Sequence, residues 1–140
     1  MKIQRYRFQQ HGDGRGRLTV VENNEDIPFA IRRVYYLYDT SPGFIRGLHS
    51  HKSLEQILVC VTGSCKILMD DGYSREEVVL DDPNEGLYIG PNVWREMYDF
   101  TEGAVLLVMA SELYDESDYI RNYDTFIDRV KGNKISDGRN

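Results

Sequence analysis

Cysteine is nearly absent from this chain: Cys60 and Cys65 are the only two. Their separation is neither a redox Cys-x-x-Cys nor a zinc spacing, which excludes those modules and predicts reduced core thiols. A cross-strand disulfide would need a turn at Gly63 to set the two opposite one another. No run of about eighteen uncharged apolar residues occurs, and Met1-Lys2-Ile3-Gln4-Arg5-Tyr6 lacks the apolar core of a signal peptide. A soluble cytoplasmic protein is expected. Positive charge is also short: 17 Lys and Arg against 23 Asp and Glu give a net charge of −6. Nucleic acid and anionic membranes reward spread-out cations, so neither is an expected partner, and an anionic ligand must meet a local group of arginines.

The commonest phosphate and acyl-transfer signatures are missing, since there is no Gly-x-x-x-x-Gly-Lys loop and no Gly-x-Ser-x-Gly elbow. Gly12-Asp13-Gly14-Arg15-Gly16 precedes the strand-like Leu18-Thr19-Val20-Val21 rather than a helix, so it is not a dinucleotide loop. No repeat or linker divides the chain, and its length suits one domain, residues 1–132; the polar residues 133–140 are expected to form a frayed tail with no role in a site.

What is present is a succession of short apolar or alternating runs closed by Gly, Pro, Asn or Asp. These predict strands at Leu18–Glu22, Arg33–Tyr38, Arg46–His51, Gln56–Thr62, Cys65–Met69, Glu76–Leu80, Gly86–Ile89, Trp94–Phe100 and Ala104–Ala110. After Ser111, Tyr119, Ile120, Tyr123, Phe126, Ile127 and Val130 recur at helical spacing. They predict one closing helix, N-capped by Asp115 or Ser117 and stopped at Gly132. The fold class is all-β: an antiparallel sandwich or jelly roll with a C-terminal helix.

Two of the three histidines, His49 and His51, stand one residue apart in Arg46-Gly47-Leu48-His49-Ser50-His51, in what reads as a β-hairpin. Alternate strand residues share a face, so both imidazoles can enter one pocket. A neutral imidazole titrating near neutrality suits proton transfer, whereas the ordinary alternative is packed or solvated polar groups.

Gly43, His49, His51, Glu55 and Gly63 resemble the first cupin motif, and Gly86 and Pro91 match part of the second. Arg95 stands where metal cupins place their last histidine. A guanidinium has no lone pair to donate, which argues against a resident metal and leaves His49, His51 and Glu55 as an incomplete ligand set. Within cupins, Arg46-Gly47-Leu48-His49 and Asp13-Gly14-Arg15-Gly16 resemble the metal-free epimerases of dTDP-4-keto-6-deoxyhexoses. A longer likeness takes in Arg33-Val34-Tyr35-Tyr36, residues 54–61, Asp70-Asp71-Gly72, residues 86–91 and residues 114–121. In these the chain is similar to the dTDP-4-keto-6-deoxyglucose 3,4-ketoisomerases.

The resemblance implies a cofactor-free isomerase that moves a keto group from C4 to C3 of a dTDP-linked 4-keto-6-deoxyhexose. The product, a dTDP-3-keto-6-deoxyhexose of either C4 configuration, leads to 3-amino-3,6-dideoxyhexoses of bacterial surface glycans. It further implies His49 as the base, His51 for the second proton transfer or for holding sugar hydroxyls, and Arg95 as a donor to the enediolate. Arg15 and Arg46 are implied diphosphate ligands; taken alone they read as a solvated charge and a strand-edge ion pair. Tyr36 and Tyr38 stack on thymine or bond the sugar, or else serve as core. Glu55 orients a histidine or pairs with Lys52. The family's homodimers exchange N-terminal strands, which would carry Arg15 to a neighbouring pocket. A metal-dependent cupin enzyme and a non-catalytic nucleotide-sugar-binding cupin are the alternatives.

Overall fold

Along Cys65-Lys66-Ile67-Leu68-Met69 every second side chain is fully buried, as expected where one face of a strand lines a core and the other meets solvent. The computed structural model describes residues 1–132. In chain order their elements are β1 (Arg5–Arg7), β2 (Gln9–Asp13), β3 (Gly16–Val20), β4 (Arg33–Leu37), β5 (Arg46–His51), β6 (Gln56–Thr62), β7 (Cys65–Asp70), β8 (Arg75–Leu80), β9 (Glu85–Ile89), β10 (Trp94–Tyr98), β11 (Val105–Ala110), β12 (Tyr119–Ile120) and α1 (Tyr123–Ile127). The expected tail, 133–140, lies outside the described residues.

Two five-stranded antiparallel sheets, ordered β1-β9-β6-β11-β4 and β12-β5-β10-β7-β8, face one another. The core cluster draws Leu58, Leu87, Ile89, Leu106 and Val108 from the first sheet and Ile67, Met69, Val78, Leu80 and Met97 from the second, so it fills the space between them. Each such side chain contributes about 1.5–3 kcal/mol through burial. This is the antiparallel cupin-type sandwich read from the sequence. The predicted strands recur with ends shifted by no more than two residues. Among the described residues no helix is long and apolar enough to cross a membrane.

Two expectations are corrected and one is met. The His-x-His segment is not half of a hairpin: β5 pairs with β10 and β12, and the chain then crosses at Lys52–Glu55 into the opposite sheet. Cys60 and Cys65 are both free and buried, the reduced core thiols expected, and β6 and β7 lie in different sheets rather than pairing across Gly63. The C-terminal helix starts later than predicted. Tyr119 and Ile120 are in β12 beside β5, and α1 begins after Asn122, whose side chain accepts from the Thr125 N–H at 2.9 Å. Asp115 instead caps a single 3₁₀ turn at Glu116–Asp118. The apolar residues at 119 and 120 fit helical spacing, but strand pairing decides their conformation. Past α1 the backbone continues as a wider helical turn through Asp128–Gly132. Trp94 anchors this end by packing on Tyr123 and Phe126.

The sequence reading also missed β1 and β2, and with β2 the hairpin it forms with the predicted β3. Residues of that hairpin are almost wholly exposed, with Leu18 57% accessible, and it pairs with neither large sheet. At the far side of the same sandwich, β4 is an edge strand bonded, among the described residues, only to β11, with Val34 and Tyr36 more than half exposed.

Candidate active site

The Arg-Gly-Leu-His run earns its sequence through a bulge. Arg95 of β10 lies opposite His49 of β5, the next pair is Glu96 with Gly47, and Leu48 is the extra residue. Gly47 and Leu48 both adopt left-handed backbone, φ 89° and 53°. A Cβ on Gly47 would sit 3.1 Å from the Arg95 carbonyl oxygen, so glycine fits this approach of the two strands. Beyond the bulge the pleat puts Arg95 and His49 on one face. His51, opposite Tyr119 of β12, shares it.

The two imidazoles stand edge to face with centroids 4.8 Å apart, and the Tyr119 ring packs on both, at 4.9 Å and 4.3 Å. They are 8% and 1% exposed. Nδ1 of His49 is 2.8 Å from the Gly47 carbonyl oxygen. A carbonyl only accepts, so Nδ1 carries the ring hydrogen and Nε2 keeps the lone pair. Nδ1 of His51 donates to Asp118 at 3.2 Å, leaving its Nε2 buried with no partner among the described residues. Burial, then the Arg95 cation, pulls His49 down to about 3 and His51 down to about 4, Asp118 opposing the latter. Both rings are therefore neutral at neutral pH.

Arg95 is wholly buried. Its Nε and Nη2 donate to the Val93 carbonyl, and its Nη1 donates to Gln56 Oε1 at 2.5 Å. Burial lowers it to about 10, so it remains a cation. Among the described residues no carboxylate pairs with it. From the facing sheet, Gln56 Nε2 donates to the Tyr35 hydroxyl at 2.9 Å.

His49 opens on a cavity of about 530 Å³ that Tyr35, Tyr36, Arg46, Tyr119 and Arg121 also line. His51 opens on an adjoining one of about 370 Å³, and Arg33 and Tyr119 form the wall common to both. The rings thus share a face and each other's contact but front two adjoining spaces rather than one. Tyr38 lies outside the main cavity, in a shallow depression shared with Tyr36 and Arg46. Glu55 touches neither histidine nor Lys52; it accepts from the Tyr88 hydroxyl at 2.6 Å. Arg15, at the β2–β3 tip, is 92% exposed and paired with Asp13, away from the cavity of its own chain. Among the described residues no group of three His, Cys, Asp or Glu side chains is placed to hold a metal ion.

A family model described as FdtA: WxcM-like, C-terminal, matches residues 1–131. The chain belongs to this family. It is 53% identical over 119 residues to the TDP-4-oxo-6-deoxy-alpha-D-glucose-3,4-oxoisomerase of Aneurinibacillus thermoaerophilus, covering 85% of this chain and 86% of that one. Among solved structures, a mutant of the 3,4-ketoisomerase QdtA from Thermoanaerobacterium thermosaccharolyticum in complex with TDP-4-keto-6-deoxyglucose superposes with a TM-score of 0.90. That pair has 52% identity and covers 92% of this chain and 94% of the other. The WlaRB TDP-quinovose 3,4-ketoisomerase of Campylobacter jejuni gives 0.85 at 50% identity, over 89% and 96%.

Three residues of this FdtA-family site escaped the sequence reading. Asp118 is 67 positions from His51, and no local spacing links them. Tyr35 alternates with Tyr36 and Tyr38, and the strand turns Tyr35 inward while the other two are more than half exposed. Gln56 is a buried polar residue in an otherwise apolar run, a signal that was available.

Proposed function

We propose that this protein is a sugar-nucleotide 3,4-ketoisomerase that converts TDP-4-keto-6-deoxyglucose into a TDP-3-keto-6-deoxyhexose, within one cupin domain of residues 1–132. The observation that carries the reading is the pair of neutral imidazoles set beside a buried guanidinium with no carboxylate partner. Names borne by relatives at about half identity supply the substrate class.

The C3 hydrogen is acidified by the C4 ketone, and His49 Nε2, bare and facing the cavity, removes it. Electrons move into the C3–C4 bond and onto the C4 oxygen, giving an enediolate. Arg95 favours that charge without titrating, and its burial strengthens the effect. Protonation of the C4 carbon, together with transfer of the C3 hydroxyl proton to the C4 oxygen, leaves the new ketone at C3 and a hydroxyl at C4; His51, with its buried free Nε2, serves this second transfer or holds the hydroxyls. One carbon is oxidised as its neighbour is reduced, so the balance closes without a redox cofactor. Arg46 lines the main cavity and suits the diphosphate, Tyr36 flanks it on the same side, and Tyr38 extends that flank.

Two copies are proposed to form a dimer in which the exposed β2–β3 hairpin of each lies along the open β4 edge of the other, delivering Arg15 to the partner's diphosphate. An unpaired ribbon and an unpaired edge are complementary rows of donors and acceptors. A soluble nucleotide-sugar substrate and two unbridged thiols fit a cytoplasmic enzyme, supplying 3-amino-3,6-dideoxyhexoses for surface glycans.

Incubation with TDP-4-keto-6-deoxyglucose in deuterated water tests the reading. NMR is expected to show a C3 ketone with deuterium at C4. An unchanged substrate would overturn it.

A further inference from the structure

A hydrogen-bond chain of fixed direction runs from Arg95 through Gln56 to Tyr35. Guanidinium nitrogens only donate, so the atom of Gln56 that meets Arg95 Nη1 at 2.5 Å must be its carbonyl oxygen. The amide nitrogen is then forced toward Tyr35, where it donates to the phenolic oxygen at 2.9 Å. With its oxygen occupied as an acceptor on that side, the Tyr35 hydroxyl hydrogen is turned away from Gln56. Tyr35 lines the cavity that His49 faces. Burial raises the phenol above its ordinary range, so it stays protonated and keeps a hydrogen to give. Gln56 is 2% exposed, on the sheet opposite Arg95, and its neighbours in β6 are apolar. A buried amide there costs stability unless both its ends are used, and both are.

We infer that Gln56 is a positioning residue: clamped by Arg95, it commits the Tyr35 hydroxyl to donate into the cavity, where an oxygen of the enediolate accepts it. What the hydroxyl meets rests on the ketoisomerase reading; the direction of the chain does not. The amide itself touches no reacting atom.

Gln56→Glu reverses the arrangement at nearly constant shape. A carboxylate accepts from Arg95 and also from Tyr35, so the phenol turns its hydrogen away from the cavity. Gln56→Glu and Tyr35→Phe are each expected to lower kcat by about 10²–10³-fold, the range for losing one preorganised donor, with KM and TDP affinity within about threefold. Adding Gln56→Met, which places no carboxylate on Arg95, to Tyr35→Phe should cost less than about threefold more, because the amide acts only through the phenol. Losses that multiply would overturn the inference.

A readout independent of turnover is the infrared C–O stretch of Tyr35, isolated by subtracting the spectrum of Tyr35→Phe. A phenol oxygen that accepts from an amide absorbs at lower frequency than one that only donates, so Gln56→Glu should move the band upward. If Gln56→Glu does not fold, Gln56→Met, which offers neither donor nor acceptor, must move it as well. A band unmoved by either variant overturns the inference. This arm uses the ligand-free protein, so it still judges Gln56 if the wild-type chain leaves TDP-4-keto-6-deoxyglucose unchanged.

Discussion

The carboxylate of Asp118 fixes the imidazole of His51 by accepting from its Nδ1 at 3.2 Å. The same carboxylate takes the Ser53 N–H and hydroxyl on one oxygen and the Leu54 N–H on the other. Burial raises Asp118, but the Ser53 and Leu54 bonds and His51 outweigh it and hold the carboxyl below its ordinary range. Four donors thus converge on an acceptor with no hydrogen of its own.

Asp118→Asn keeps the shape and breaks that logic. One end of the amide is a donor, so it must oppose either the Ser53 donors or the His51 and Leu54 donors. If it faces His51, the ring is driven to the other tautomer and its buried Nε2 gains the hydrogen. Turnover is expected to fall at least about tenfold, as wrong-tautomer substitutions do elsewhere. Nitrogen-15 NMR of the His51 ring checks it: wild type should carry its hydrogen on Nδ1. A fully active Asn variant would remove His51 orientation from the mechanism.

Both imidazoles are held neutral, at about 3 and about 4, against 6.5 for an exposed histidine. Their folded values are depressed, so the unfolded chain binds more protons as pH falls below 6.5 and stability drops with it. The slope is at most about 1.4 kcal/mol per pH unit for each ring, and these rings contribute no slope above about pH 7. Urea midpoints between about pH 4.5 and 7 should show that loss, and His49→Asn should flatten it. The acid limb of kcat/KM reports the free enzyme's base, so it should not break near 6.5. A break there would mean that His49 is solvated.

Glu55 belongs, by geometry, to the fold rather than to the sugar. From the crossing just before β6 it accepts from Tyr88 of β9 at 2.6 Å, and its backbone N–H donates to Ser111 Oγ. Glu55→Gln retains an acceptor for Tyr88 but loses the charge assistance, so stability should fall by about 1 kcal/mol while kcat stays within about threefold. Chemical denaturation and steady-state rates separate the two. A tenfold fall in kcat at unchanged stability would return Glu55 to the substrate.

Strand alternation and turn residues made both sheets legible, because apolar burial on one face is a local property of sequence. The His49, His51 and Arg95 cluster was legible through motif likeness and strand geometry, and the bulge at Gly47-Leu48 supplies its physical basis. What was illegible is non-local. Asp118 reaches the site only because β12 pairs with β5, a contact that also cost the helix its first turns. Gln56 and Tyr35 meet Arg95 from the opposite sheet, and no spacing along the chain encodes which residues face each other across a sandwich. β2, and with it the pairing that makes the β2–β3 hairpin, went unread because the hairpin buries almost nothing in its own chain.

That last feature gives the sharpest test of exchange between copies. If Arg15 serves the partner's cavity, Arg15→Ala and His49→Asn each yield a weak enzyme, since one lacks its diphosphate cation and the other its base. Unfolding and refolding an equal mixture makes half the dimers mixed. In each mixed dimer, the cavity of the Arg15→Ala chain has its own His49 and receives an intact Arg15 from the other chain. About one quarter of wild-type activity should therefore return, half of the sites in half of the dimers. Were Arg15 to act within its own chain, neither chain of the mixed dimer would hold a complete set, and mixing would recover nothing.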